Sequence, residues 1–113
     1  MTRTMIGTTV GALVLLGASS AAAQADGPAV YKQNCRTCHG VIGVPPKRAL
    51  DQYKKIATFK DSAFFATRAD DSLVAVITKG IGKDMKRFKD KLSKDEIIAV
   101  AKYIRTLEKP KQP

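Results

Sequence analysis

From Ser93 to Leu107 apolar residues return every three or four positions: Ile97, Val100, Ala101, Ile104 and Leu107 share one side of a helix. Ser93 and Glu96 stand at its start as a capping box. A shorter stripe of Leu73, Val76 and Ile77 follows the capping candidates Asp70-Asp71-Ser72 and stops at Gly80, which can take the positive φ of a helix end. Lys47 to Ala57 sets Leu50, Tyr53, Lys54 and Ala57 at helical spacing and predicts another helix. Asp26 to Asn34 predicts a short one, capped by Asp26 or Gly27, with Pro28 in the first turn and Val30 and Tyr31 facing inward. Gly40 to Pro46, with two glycines and two prolines, must be a loop. Ile81 to Lys91 is a second loop, anchored by Ile81, Met85 and Phe88. Thr58 to Arg68 carries three phenylalanines, which signal packing without specifying an element. No stretch alternates as a strand does, so the pattern predicts an all-α chain with long loops.

The amino end follows different rules. Arg3, an apolar run from Met5 to Ala18 and the small-residue triplet Ala23-Gln24-Ala25 have the layout of a secretory signal peptide. A retained anchor is the rival reading, but a span needs about 20 consecutive apolar residues, and three glycines and two threonines dilute this run. Residues 1–25 are therefore read as a signal, 26–108 as one domain and 109–113 as a disordered tail. Cleavage leaves 88 residues. A chain that short buries only about 60% of its unfolded surface and usually needs a staple. Its two cysteines, Cys35 and Cys38, would close too small a ring to constrain much. A large apolar cofactor would complete the core.

Charge narrows the partners. Cleavage removes Arg3 and no acid, leaving 19 Lys and Arg against 10 Asp and Glu. Such an excess suits an acidic surface or simply keeps a protein soluble. Export, and seven aromatics not interleaved with the lysines, weigh against nucleic acid.

The chemistry sits in Cys35-Arg36-Thr37-Cys38-His39. A dithiol oxidoreductase sets its CxxC at a helix start in a strand-bearing fold, where the dipole lowers the thiol pKa; here the motif follows a helix. Zinc wants four ligands, and the chain beyond the signal offers two cysteines and one histidine. A disulfide across the pair would strain a small ring. The fourth reading fits the whole motif. Two intervening residues let the thiols reach adjacent vinyl groups of one haem, and the next residue, His39, turns under the macrocycle to meet the iron.

With these residues in view, the chain resembles a small class I c-type cytochrome. "GPAVYKQNCRTCHG" is similar to the family's first helix and "AVAKYIRTL" to its last. The resemblance implies a cytochrome c fold of about four short helices around one covalent haem c. It implies that Gly27, Val30 and Tyr31 pack against Val100, Tyr103 and Ile104. It also makes Met85, the one methionine left after the signal, the sixth ligand opposite His39. In the family a proline usually follows that methionine; here the run is Met85-Lys86-Arg87-Phe88, without it. A carbonyl in the loop after the motif is expected to hold the second nitrogen of His39, with Pro45 the candidate and Pro46 its alternate. Gly43 would let that loop bend close to the ring. Arg48 or Tyr53 would reach a propionate, and Ile42, Leu50, Phe59 and Ile81 would line the pocket; each also reads as ordinary surface or core.

Iron bound on both faces leaves no position for a substrate, which implies an outer-sphere electron carrier with no catalytic residues and no small-molecule substrate. Lys79, Lys83, Lys86, Arg87, Lys89, Lys91 and Lys94 crowd the Met85 segment against only Asp84 and Asp90. The family exposes a haem edge there. This collar is expected to dock a monomeric carrier on acidic faces of redox proteins or membrane complexes. Two alternatives stay open: a haem subunit of a larger redox or photosynthetic complex, and a ligand-binding or peroxidatic protein in which Met85 is not bound.

Overall fold

The computed structural model describes residues 24–108. The signal-like segment up to residue 23 and the tail from residue 109 lie outside them. Six helices follow in order: α1 Gly27–Asn34, α2 Arg36–His39, α3 Lys47–Gln52, α4 Ser62–Ala66, α5 Asp70–Lys79 and α6 Lys94–Thr106. Among the described residues the only strand-like pairing is one isolated antiparallel bridge, Ile81 with Met85.

Local sequence accounts for most helix starts. The Asp26 carboxylate accepts from the Ala29 amide at 3.1 Å and Pro28 occupies the first turn of α1. At α6 the Ser93 hydroxyl accepts from the Glu96 amide while the Glu96 carboxylate accepts from the Ser93 amide, the reciprocal box expected from the sequence. Asp70 and Asp71 lie in the first turn of α5, where the helix dipole favours them, and Ala69 is the capping residue. Gly80 ends that helix at φ 71°.

Helix α3 is shorter than the expected Lys47 to Ala57. Tyr53 already has extended backbone, and Phe59 donates across the chain to the Gly43 carbonyl at 2.7 Å. That pairing takes the segment after Tyr53 away from the helix. Two single-turn helices complete the set: α2, which carries the cysteine–histidine motif, and α4, capped by Asp61 within the phenylalanine-rich stretch.

The termini of the domain cross. Gly27 of α1 meets α6 so closely that a Cβ there would lie 2.5 Å from the Ala99 carbonyl oxygen and 3.1 Å from the Tyr103 Cβ. Only glycine permits that approach. Val30 and Tyr31 are buried against Ile97, Val100, Ala101 and Ile104, and the Tyr31 and Tyr103 rings meet edge-on at 5.3 Å. Phe59, Phe65, Leu73, Ile77 and Phe88 extend the same core, in which no polar residue is buried among those described. Arg105 fastens α6 to the start of α5, donating to the Asp70 carboxylate at 2.7 Å and to the Arg68 carbonyl at 2.8 Å.

Candidate haem site

Cys35 is the joint between α1 and α2. Its amide closes α1 on the Tyr31 carbonyl, and its carbonyl receives the His39 amide at 2.9 Å. One turn therefore sets Cys35, Cys38 and His39 in sequence beside the core. Gly40 stops the turn at φ 84°, where an added Cβ would run into the Val44 carbonyl. The buried Tyr31 hydroxyl donates to the Gly40 carbonyl at 2.7 Å, tying the motif's end to α1. Burial also pushes the Tyr31 hydroxyl pKa well up, so it remains a donor.

Both thiols are free and half-buried. Burial, reinforced by Cys38, pushes the Cys35 thiol up to about 11. A dithiol oxidoreductase needs the opposite shift, because its thiolate is the nucleophile. Among the described residues no three His, Cys, Asp or Glu side chains gather as a metal site of their own. Neither the redox-active nor the zinc reading finds support here.

The imidazole is fixed on two sides. His39 Nδ1 lies 3.3 Å from the Ala57 carbonyl, an acceptor only, so this nitrogen carries the proton and Nε2 keeps its lone pair. Its ring stacks on Phe59 with centroids 4.7 Å apart and planes 16° from parallel. Burial lowers the His39 pKa, partly offset by the Ala57 carbonyl, and keeps the imidazole in the neutral form that binds metals.

This corrects the expected acceptor. The carbonyl is that of Ala57 rather than Pro45 or Pro46. The Gly43 carbonyl accepts from the Phe59 amide and from the Thr58 hydroxyl at 3.2 Å, and this draws residues 57–59 beneath the histidine. Pro46 instead starts α3, its carbonyl accepting from Ala49 and Leu50. Gly43 has the bend expected of it, at φ 83°, but it turns against Phe59 and Leu107: a Cβ there would lie 2.9 Å from the Phe59 Cβ. Phe59 is likewise behind the imidazole and buried in the aromatic cluster, not on an open pocket wall. No sequence signal points to Ala57, since a carbonyl belongs to every residue. Phe59 showed itself only as an apolar letter.

Met85 is half-buried and packs on the same core as Cys35. Its amide donates to the Ile81 carbonyl at 3.1 Å, and its carbonyl accepts from the Ile81 amide at 2.9 Å. Buried Phe88 pins the loop's far end, its amide donating to the Ile77 carbonyl at 3.0 Å.

The fit to a haem shows in what the chain leaves uncovered. Val41, Ile42, Val44 and Leu50 are between 46% and 70% exposed, and Val76 and Ile81 are 39% and 58% exposed. These are the large exposed apolar side chains of the described residues, and they fall in the two stretches beside His39 and Met85. An apolar macrocycle held between those stretches would cover surface that a small core cannot. Arg48 is exposed and Tyr53 half-buried, its hydroxyl accepting from the Gln52 amide group. Lys79, Lys83, Lys86, Arg87 and Lys89 are all exposed, and Arg87 is paired with Asp90 at 3.0 Å.

A helical chain whose first and last helices cross, and which sets a CxxCH histidine and a looped methionine on one core, is built as a small class I c-type cytochrome. The chain belongs to that family: residues 22–104 match the family model described as cytochrome c oxidase, cbb3-type, subunit III. It is 34% identical over 100 residues to the chloroplastic cytochrome c6 of Chlamydomonas reinhardtii, covering 85% of this chain and 64% of that one. It is 32% identical to cytochrome c6 of Microcystis aeruginosa, over 70% of this chain and 90% of that one. The solved structure of the KustC0563 c-type cytochrome superposes with a TM-score of 0.69 at 32% identity, covering 74% of this chain and 99% of the other. The chain thus spans just under two thirds of the Chlamydomonas relative. The cofactor of the family is a single covalent haem c.

Proposed function

We propose that the protein is a one-electron carrier of an extracytoplasmic compartment, not an enzyme. Cys35 and Cys38 would hold the haem through thioethers, and His39 Nε2 and Met85 Sδ would be the ligands of its iron. The observation that carries this reading is the fixed imidazole: Ala57 holds Nδ1–H and Phe59 backs the ring, which leaves the Nε2 lone pair for a metal.

The haem supplies the iron that cycles between ferric and ferrous states. The chain's part is to hold both axial groups still, so that little rearranges when the charge changes, and to keep water from the iron with apolar side chains. The thioether of Met85 would favour the ferrous state and raise the potential. Exposed Lys79, Lys83, Lys86 and Lys89 steer the carrier to acidic faces of its donor and acceptor. The signal-like residues 1–25 support export, and intact-mass analysis of the matured protein checks cleavage after Ala25.

The test is the absorption spectrum of haem-loaded protein, oxidised, reduced, and reduced under carbon monoxide. A weak long-wavelength iron–sulfur band that disappears in Met85→Leu, with no response of the unsubstituted protein to carbon monoxide, is expected. A missing band with ready carbon monoxide binding would replace the carrier with an open-site haem protein. The matched family's description favours one second reading, a haem subunit bound in a larger membrane complex. Release from membranes as a monomer by a salt wash separates the free carrier from that subunit.

A further inference from the structure

The Met85 loop lacks the proline that would stiffen it, and the structure holds a different device in that place. Gly80 closes α5, its amide donating to the Val76 carbonyl at 2.7 Å, with φ 71° and ψ −176°. That region of backbone space is essentially reserved for glycine. A helix end needs only the positive φ. At Gly80 there is something more: a Cβ would lie 2.5 Å from the Met85 carbonyl oxygen, 2.7 Å from the Arg87 amide nitrogen and 2.8 Å from the Lys86 carbonyl carbon. Every one of these is backbone, so no side chain can swing aside. The main chain of 85–87 rests directly on the bare Cα of Gly80.

Two further sets of bonds lock the same contact. Ile81 and Met85 exchange both amide–carbonyl hydrogen bonds across the base of the loop. Beyond it, Phe88 and Lys89 donate to the Ile77 and Thr78 carbonyls, at 3.0 and 3.3 Å, on the last turn of α5. Gly82, at the loop tip, provides the contrast: φ is 49° and nothing lies within 4 Å of a Cβ built there.

We propose that Gly80 is the positioning residue for the methionine ligand: its missing side chain lets the Met85–Arg87 backbone seat against the end of α5, fixing the sulfur where a following proline would otherwise have done so. This rests on the reading of Met85 as the sixth ligand. Gly80→Ala pushes the 85–87 backbone outward and weakens the iron–sulfur bond without touching the His39 side. Gly82→Ala also places a side chain at positive φ but displaces no neighbour, and leaves the bond intact.

The experiment records the iron–sulfur band, the reduction potential and carbon monoxide binding of haem-loaded wild type, Gly80→Ala, Gly82→Ala and Met85→Leu. Loss of most of the band, a lowered potential and new carbon monoxide binding in Gly80→Ala, with Gly82→Ala like wild type, are expected. A full band and unchanged potential in Gly80→Ala overturn the role of Gly80 and leave Met85 as ligand. Equal losses in both glycine variants also overturn it, because loop stiffness rather than the close approach would then matter. No band in wild type removes the Met85 reading and this proposal together. If Gly80→Ala fails to accumulate, amide exchange in reduced wild type decides. Ile81 and Met85 amides slowed by at least about 100-fold over an unstructured peptide support the clamp, and exchange at the unstructured rate overturns it.

Discussion

The two candidate axial residues are held by opposite means. His39 depends on residues far along the chain: the Ala57 carbonyl, the Phe59 ring and, through Gly43, the crossing that brings both into place. These are side-chain and tertiary contacts within the core. Met85 depends on its neighbours, since the bonds that shape its loop run between residues 77 and 89 and are almost all backbone to backbone. The first arrangement is as stable as the core it belongs to. The second is built within one short stretch of chain, and it lies where the exposed lysines are. The side of the site proposed to meet partners is thus the locally built one.

Phe59 gives this contrast its largest test. The ring is 5% exposed and touches the rings of Tyr31, Phe64, Phe65 and His39. Phe59→Ala is expected to cost about 3–5 kcal/mol, as large-to-small aromatic changes in cores do. Phe88, 8% exposed, anchors the methionine loop outside that aromatic cluster. Phe88→Ala should cost less and should show chiefly as a weakened iron–sulfur band. Urea titrations of the two haem-loaded variants check the order. Should Phe88→Ala prove the more destabilising, the methionine side would carry more of the core's stability than the histidine side, and the contrast would be reversed.

A smaller effect on the histidine side comes from Tyr31. Its hydroxyl donates to the Gly40 carbonyl at 2.7 Å, and both residues are buried. Tyr31→Phe keeps the ring's edge contact with Tyr103 but leaves that carbonyl only the longer bond from the Gly43 amide, at 3.4 Å. A loss of about 1–2 kcal/mol is expected in the same titration. An unchanged midpoint would mean that the end of the CxxCH turn is held by Gly40's backbone alone.

The sequence revealed what depends on neighbours in the chain and hid what depends on crossings. Asp26, Ser93 and Glu96 announce two helix starts because a cap acts within three residues. The CxxCH run is legible for the same reason. The α1–α6 crossing came through resemblance and is carried by Gly27, whose lack of a side chain matters only once Ala99 is known to lie against it. Helix α3 stops early because Phe59 pairs with Gly43, a contact that no spacing in Lys47 to Ala57 encodes. Ile42, Leu50 and Ile81 illustrate the remaining gap. An apolar letter does not say whether it buries against the chain or waits for an apolar partner, and these three are exposed on the protein alone.

The subtlest prediction concerns the collar around Met85. Lys86 and Arg87 are adjacent, exposed and of equal charge, but the Arg87 guanidinium Nε already lies 3.0 Å from an Asp90 carboxylate oxygen. Encounter with an acidic partner responds to summed charge, and neutralising either residue removes one unit of it. Lys86→Gln and Arg87→Gln should therefore slow association alike, on the order of twofold at low ionic strength, with the difference vanishing as salt screens the field. Dissociation responds instead to short-range bonds in the docked complex. Arg87 is already engaged by Asp90, whereas Lys86 has no ion-pair partner among the described residues, so only Lys86→Gln should quicken release. Stopped-flow measurements of both rates against an acidic redox protein decide. If Arg87→Gln quickens release as much as Lys86→Gln, the Asp90 pair opens on docking, and the collar is a uniform basic surface without internal pairing.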